Sequence, residues 1–258
     1  MSRALVLMYH QVDTPVSDKD RRFCTPPADF AAQMNWLVET GYRPASMDEM
    51  LAHVAGKAPL PEKSLHVTFD DGFVGVLEHA LPTLKEHAIP ATLFALPQRM
   101  GMTNDWMLER GFPRRALISM TQLRLLADEG VTIGSHTCTH VRLTDVGPDI
   151  AAKEIADSKH ELEDILGKEV SHFAYPYGLF NQAVRDLVVQ AGYRSACSTR
   201  SGFNRPGEDP FLIRRIDISG MDKLWQFRQK LHHGINQAAR LQPLKYYAGR
   251  VAARLGRK

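Results

Sequence analysis

Two carboxylates stand side by side at Asp70 and Asp71, just before Gly72, and two histidines stand four residues apart at His136 and His140. One carboxylate with two imidazoles, leaving positions open for water, is a donor set that suits a hydrolytic divalent cation. The second carboxylate would then stay free to act as a base. Neither feature is decisive by itself. An acidic pair before glycine is ordinary turn chemistry, and in a chain with 11 histidines in 258 residues about 0.5 His-x-x-x-His pairs are expected by chance, so the spacing alone is a weak signal. Their conjunction, each at the end of an apolar run, carries the signal. Cys138, between the histidines, reads as a small packed residue rather than a soft ligand. Pro176-Tyr177-Gly178 is a rigid turn able to aim a backbone N–H at an oxyanion while the tyrosine ring walls a groove. His10 closes the first apolar run, where a hydrogen-bonded structural histidine is the ordinary reading. Arg214 and Arg215 interrupt the last run. Strand alternation turns one of them inward, where a buried cation needs an acid, and Asp70 is the candidate. His232 and His233 have no carboxylate near them in sequence and read as surface residues.

These residues are spread from position 10 to position 215, so a fold has to gather them. Apolar runs bounded by turn residues recur at 4–9, 66–70, 91–96, 131–136, 172–176, 195–199 and 211–218. Short continuous runs of this kind suit parallel strands covered on both faces. Helical patterns fall between them at 28–40, 46–54, 73–88, 120–129, 148–167 and 180–191, with Gly41, Gly130, Gly167 and Gly192 placed as C-terminal stops. The alternation predicts a single α/β domain with right-handed crossovers, as a barrel or an open sheet. In a parallel barrel the C-terminal strand ends converge on one mouth. Four of the runs end in polar or reactive residues, so His10, Asp70, Asp71, His136 and Tyr177 would share that mouth.

Composition removes several classes. With 44% apolar and 24% charged residues, the chain is neither disordered nor fibrous, and no apolar stretch is long enough to span a bilayer. Three widely spaced cysteines, Cys24, Cys138 and Cys197, argue against a disulfide framework or a multi-cysteine zinc site. The apolar stretch at 4–9 is too short for a secretory leader, which makes a cytoplasmic protein the expectation. The net charge of +3 hides an asymmetry: nine Lys and Arg but no acidic residue follow Asp222, leaving a formal −6 on residues 1–222. We expect a catalytic domain over 1–222 and a basic, helical extension over 223–258. Residues 241–258 mix Leu, Tyr and Val with five cations, the pattern of an interfacial helix, which implies peripheral contact with the inner face of a membrane. An acidic body without a recognised motif argues against nucleic acid as partner.

The blocks Thr68-Phe69-Asp70-Asp71-Gly72, His136-Thr137-Cys138-Thr139-His140 and Phe173-Ala174-Tyr175-Pro176-Tyr177-Gly178 resemble, in order and spacing, those of the polysaccharide deacetylases sharing the NodB homology domain, carbohydrate esterase family 4. The resemblance runs from residue 4 to residue 218, and residues 5–12 (LVLMYHQV) and 209–216 (DPFLIRRI) make it similar to the subgroup acting on poly-N-acetylglucosamine-type polymers. It implies a distorted (β/α)7 barrel, TIM-barrel-like. It also implies a metal-dependent hydrolase that removes N-acetyl groups from amino sugars of a polysaccharide, lipopolysaccharide or lipid-linked glycan precursor. Zinc is the metal implied first, with cobalt, nickel or manganese as substitutes. Carried over by position, Asp70 is the base that serves a metal-activated water, and Asp71, His136 and His140 are the metal ligands. Tyr177 contributes its backbone N–H to the oxyanion hole, and Pro176, Tyr177, Gly178 and Asn204 contact substrate.

The chain departs from the family pattern at two places. Ala174 stands where most members carry an Arg that orients the base, and Arg215 is the substitute we expect. No late Leu-x-x-His block supplies the general acid, since Leu231-His232-His233 does not match it. His10, at the end of the first strand, fits that role as in circularly permuted members. The same metal site would serve an O-acetyl sugar esterase, a deformylase or an amidase. A non-catalytic glycan-binding barrel is the reading from another class, and the intact Asp70, Asp71, His136 and His140 set argues against it.

Overall fold

The structure is a computed structural model and describes residues 4–238. The chain forms β1 (Leu5–Tyr9), β2 (Gln11–Val12), β3 (Cys24–Thr25), α1 (Pro27–Glu39), β4 (Arg43–Pro44), α2 (Met47–Val54) and β5 (Ser64–Phe69). It continues with α3 (Leu81–Glu86), β6 (Ala91–Ala95), α4 (Met120–Asp128), β7 (Thr132–Ser135), α5 (Pro148–Leu166), β8 (His172–Ala174), α6 (Gln182–Gln190), β9 (Ser195–Cys197), β10 (Ile216–Asp217) and α7 (Leu224–His233). Helix starts follow local chemistry. Ser46 with Glu49 and Ser119 with Gln122 form capping boxes on α2 and α4, and Pro27 and Pro148 open α1 and α5. Gly167 ends α5 in the left-handed conformation, as a residue without Cβ can.

The main sheet is parallel and curled, in the order β10-β1-β5-β6-β7-β8-β9, with β4 added beside β5. The last apolar run does not form one strand. Residues 210–212 make a 3-10 turn, Ile213 forms a parallel bridge to Cys197 of β9, and only Ile216–Asp217 pair with β1. Pro210 and the Asp209 side chain bonded to the Phe211 N–H favour that turn over an extended start. The broken strand thus spans the gap between β9 and β1, which gives the expected barrel its distortion. The predicted helix over 73–88 is also modified. Val76–Ala80 form a π turn in which the Leu81 N–H reaches the Val76 carbonyl, and Pro82, lacking an N–H, follows it. The 172–176 run leaves β structure after Ala174.

Strand alternation sorts side chains to two environments. Leu5, Leu7, Tyr9, Leu65, Val67 and Phe69 pack outward against Phe30, Met34 and Leu37 of α1 and the other helices in the main core. Residues of the opposite parity face the barrel interior. Low in the barrel these are Ala4, Val6, Phe94, Ala174 and Cys197, joined by His66 and His172. The His66 Nδ1–H donates to the Ala45 carbonyl at 2.7 Å while Nε2 lies 2.8 Å from Thr92 Oγ1. His172 Nδ1 is 2.8 Å from Ser195 Oγ. Burial pushes both imidazoles down to about 4. A folded state that resists protonating these rings loses stability as pH falls from the ordinary 6.5 toward 4, on the order of 3 kcal/mol per ring at full effect. Urea midpoints measured from pH 7 down to pH 4.5 are expected to fall, and His66→Gln to flatten the slope. An unchanged slope in that variant removes His66 as a cause.

The C-terminal helix is built into the domain. Phe227 and Leu231 of α7 belong to the main core, Phe227 meets Trp36 edge-on at 5.8 Å, and the buried Lys230 ammonium donates to the Asp217 carbonyl at 2.8 Å and pairs with Asp222. The basic extension drawn from residue 223 therefore begins as a packed helix. His233, expected at the surface, is buried, while its neighbour His232 is exposed; helical spacing puts position 233 on the face of Lys230. The interfacial segment proposed at 241–258 lies outside the described residues. Among the described residues no helix is long and apolar enough to cross a membrane. Cys24, Cys138 and Cys197 are buried free thiols.

Candidate active site

The inward parity continues to the C-terminal strand ends, where the residues become polar. His10 follows β1, Asp70 follows β5, His136 follows β7, and Arg215 precedes β10. Together with Asp71, His140, Tyr177 and neighbours, three of these (His10, Asp70 and His136) line a cleft of about 340 Å³. Arg215 lies beneath it and is fully buried.

One acidic side chain and two imidazoles converge at the cleft floor. His136 Nε2 and His140 Nε2 lie 3.5 Å and 3.1 Å from Asp71 Oδ1, and one ligand atom from each residue falls within 4.8 Å of the others. Asp71 Oδ1 is buried without a hydrogen-bond partner, a costly state that a cation would relieve. The His136 Nδ1–H donates to the Ala174 carbonyl at 2.7 Å, which fixes the ring and turns the Nε2 lone pair to the cluster. Burial pushes His136 down to about 4, so the ring is neutral, as a ligand must be. Burial would raise the Asp71 carboxyl, but His140, His10 and His136 around it hold it well below its usual range. Three oriented donors of types N, N and O fit a divalent ion.

Backbone strain marks the same place. Asp71, Thr137, His140 and Tyr177 are four of the six non-glycine residues with positive φ among the described residues. Such conformations persist where surrounding structure imposes them, commonly at functional sites. Gly178 has φ +68° and its backbone packs on Thr199 so closely that a Cβ would lie 2.0 Å from Oγ1, so the Tyr177 turn requires glycine there.

The second carboxylate has a different partner. Arg215 donates from Nη1 to Asp70 Oδ1 at 2.6 Å and from Nη2 to Oδ2 at 2.8 Å, with Nε on the Ser198 carbonyl at 3.0 Å and Nη1 also 3.2 Å from Thr68 Oγ1. Burial would raise the Asp70 carboxyl; Arg215 first, then His136 and His10, outweigh it and keep the group ionised. An ionised carboxylate beside a metal cradle can take a proton from an attacking water. His10 packs against Phe23 at 4.7 Å, and its buried Nδ1 has no hydrogen-bond partner among the described residues.

Residues 57–196 match the family described as polysaccharide deacetylase. The chain belongs to that family. Its members are hydrolases of carbohydrate carbon–nitrogen bonds and use a divalent metal, which the Asp71, His136 and His140 cradle suits. The poly-β-1,6-N-acetyl-D-glucosamine N-deacetylase of Staphylococcus epidermidis is 26% identical over 236 residues, covering 84% of this chain and 79% of its own. Among solved structures, IcaB from Ammonifex degensii superposes with a TM-score of 0.76 at 27% identity, over 89% of this chain and 95% of its own. The Streptococcus pyogenes deacetylase PplD, in complex with acetate, matches the fold with a TM-score of 0.73 at 23% identity, over 88% and 97% of the two chains.

In this deacetylase not every expected substrate contact reaches the cleft. Asn204 is buried elsewhere. Its backbone pairs with Ala4 before β1, and its amide bonds both the Arg214 N–H and carbonyl. The residue sits beside Ala4 at the N-terminal side of the sheet, away from the C-terminal strand ends that form the cleft. Pro176 and Gly178 shape the turn, while Tyr177 alone of the three lines the cleft. Sequence reasoning missed Trp106, which stacks on His140 at 4.8 Å and 19°, and Phe23, Arg22, Arg110 and Asp217, which also line the cleft. Trp106 lies in the segment between β6 and α4; a long unpatterned segment inside a compact domain is itself a sign of a functional loop.

Metal loading should stabilise the fold strongly. A thousandfold excess of zinc over its dissociation constant is worth about 4 kcal/mol, which in a domain of this size raises Tm by about 10 °C. His136→Ala is expected to erase that shift. Equal Tm with zinc and with chelator would exclude a built metal site.

Proposed function

We propose that this chain removes N-acetyl groups from amino sugars of a polysaccharide or of a lipid-linked or lipopolysaccharide precursor. The observation that carries the reading is the division of labour between adjacent carboxylates: Asp71 faces two imidazoles, and Asp70 faces a buried guanidinium. The first is built to hold a cation and the second to stay ionised and uncoordinated.

In this reading Asp71, His136 and His140 hold a divalent ion, zinc by the nature of the donors. When bound, the ion supplies Lewis acidity to the acetamide carbonyl and to the attacking water. Asp70 takes the water proton, held in place and charge by Arg215. The Tyr177 backbone N–H donates to the developing oxyanion, an interaction worth about 3 kcal/mol for one such donor. His10 protonates the departing amine, leaving a free amino sugar and acetate. The N-deacetylase relative supports acetyl as the acyl group transferred to water, and the cleft dimensions admit a sugar ring.

The test is product release by the zinc-loaded protein from matched N-acetyl, N-formyl and O-acetyl sugars. Acetate from the N-acetyl substrate at the highest kcat/KM is expected. Faster formate or ester cleavage reassigns the reaction, and no product from any of the three supports a binding role instead.

A further inference from the structure

The carboxylates of the cleft are each matched. Asp70 is paired with Arg215, Asp217 with Arg22, and Asp71 faces the two histidines. Two cations at the mouth are not. Arg110 lines the cleft, with its guanidinium 5.5 Å from the Phe112 ring centroid. Arg142 lies over the Tyr177 ring at 4.4 Å, and that ring is 4.5 Å from the metal-ligating His140 ring. Among the described residues neither guanidinium has a carboxylate partner within salt-bridge distance, and both are exposed. A third cation adds to this side: the Lys19 ammonium donates to the Arg110 carbonyl and sits 5.1 Å over the same Phe112 ring.

We propose that Arg110 and Arg142 form a subsite for an oxyanion carried by the glycan itself, next to the sugar whose acetamide meets the catalytic residues. This deepens the deacetylase reading and rests on it. Each guanidinium is pre-positioned on an aromatic face, which removes much of the entropy cost of ordering it on binding. Their planar donors suit a phosphate or a carboxylate in two-point contact. Arg142 lies on the Tyr177 ring, and Arg110 lines the same cleft as Tyr177. Arg142 is separated from the His140 ring by the Tyr177 ring, with successive separations of 4.4 Å and 4.5 Å, so the anion belongs beyond the acetamide, on the anomeric carbon or on the adjoining sugar. Residues 1–222 carry a formal −6, and an unmatched positive mouth on an acidic body also draws an anionic substrate to the right end of the barrel.

Two sources of the oxyanion are separated by substrate choice. Zinc-loaded protein is assayed on N-acetylglucosamine 1-phosphate and on a glucuronyl-N-acetylglucosamine disaccharide. The neutral controls are the methyl glycoside and the glucosyl disaccharide. At low salt we expect kcat/KM about tenfold or more higher for at least one anionic member of these pairs, with the ratio shrinking as ionic strength rises. The favoured pair names the source. In Arg110→Gln/Arg142→Gln the anionic-to-neutral ratio is expected to fall to about one. Equal kcat/KM within both pairs for the unmodified protein overturns the subsite while leaving deacetylation intact, and so does a preference that survives the double substitution. If none of the four sugars is turned over, the deacetylase reading fails on them. Calorimetric binding of N-acetylglucosamine 1-phosphate then decides the subsite: at least tenfold weakening in the double variant supports it, and equal binding overturns it.

Discussion

Asn at position 70 is expected to keep zinc and lose turnover, by a factor of about 10²–10⁴, the usual contribution of a general base. The structure separates the two properties because Asp70 is not one of the three clustered metal donors and both its oxygens are engaged by Arg215. Zinc content of purified Asp70→Asn should equal that of the unmodified protein, while His136→Ala should lose metal and activity together. The same substitution strips Arg215 of its counter-charge in a fully buried site. Removing one partner of a buried ion pair costs about 3–5 kcal/mol, so a lower urea midpoint is expected alongside the kinetic defect. Assays well below the unfolding transition keep the two effects apart. Zinc-replete Asp70→Asn with normal kcat would end the assignment of Asp70 as base.

Arg215→Met is the second large effect, and it reads the other half of the pair. The Asp70 carboxylate would then be buried with only histidines near it, and burial by itself raises a carboxyl pKa. Three consequences follow from that one loss. Stability falls by a similar 3–5 kcal/mol. The acid limb of kcat/KM moves to higher pH, because Asp70 must still be ionised to accept a proton and now holds one more tightly. At neutral pH kcat drops, since the base has lost both charge and orientation. Arg215→Lys restores the charge but not the two-point geometry, so it should return the acid limb toward its original position more completely than it returns kcat. A merely structural Arg215 would lower stability in both variants and leave the pH profile of the folded fraction where it was.

Much of the scaffold is legible in one dimension. Six of the seven apolar runs become strands of the main sheet close to their expected places, because a parallel strand covered on both faces must be apolar throughout. Helices α1, α2, α4, α5 and α6 fall where helical patterns and terminal glycines put them. The exceptions have local causes. Pro82 turns the start of the third helical segment into a π turn, and Pro210 with Asp209 breaks the last strand. The same two-sided burial that makes strands easy to find conceals which residues face inward. In β1 and β5 every position is buried, so apolarity gives no parity, and only a polar intruder such as His66, Thr68 or Asp70 betrays the inner face.

Residue types and order alone determined the family, the parallel α/β architecture, the choice of Asp71, His136 and His140 as candidate metal donors, and the need of an arginine in the last run for a buried acid. These depend on short motifs and on the high cost of burying an unpaired charge, which hold wherever the chain goes. The tertiary structure decided the rest. It joined Arg215 to Asp70 across 145 residues, sent Asn204 to the far side of the sheet, folded α7 and its His233 into the core, and laid Trp106, Arg110 and Arg142 around the mouth. Those placements depend on sheet curvature, strand parity and loop closure, which bring distant residues together through space and leave no periodic mark on the sequence that encodes them.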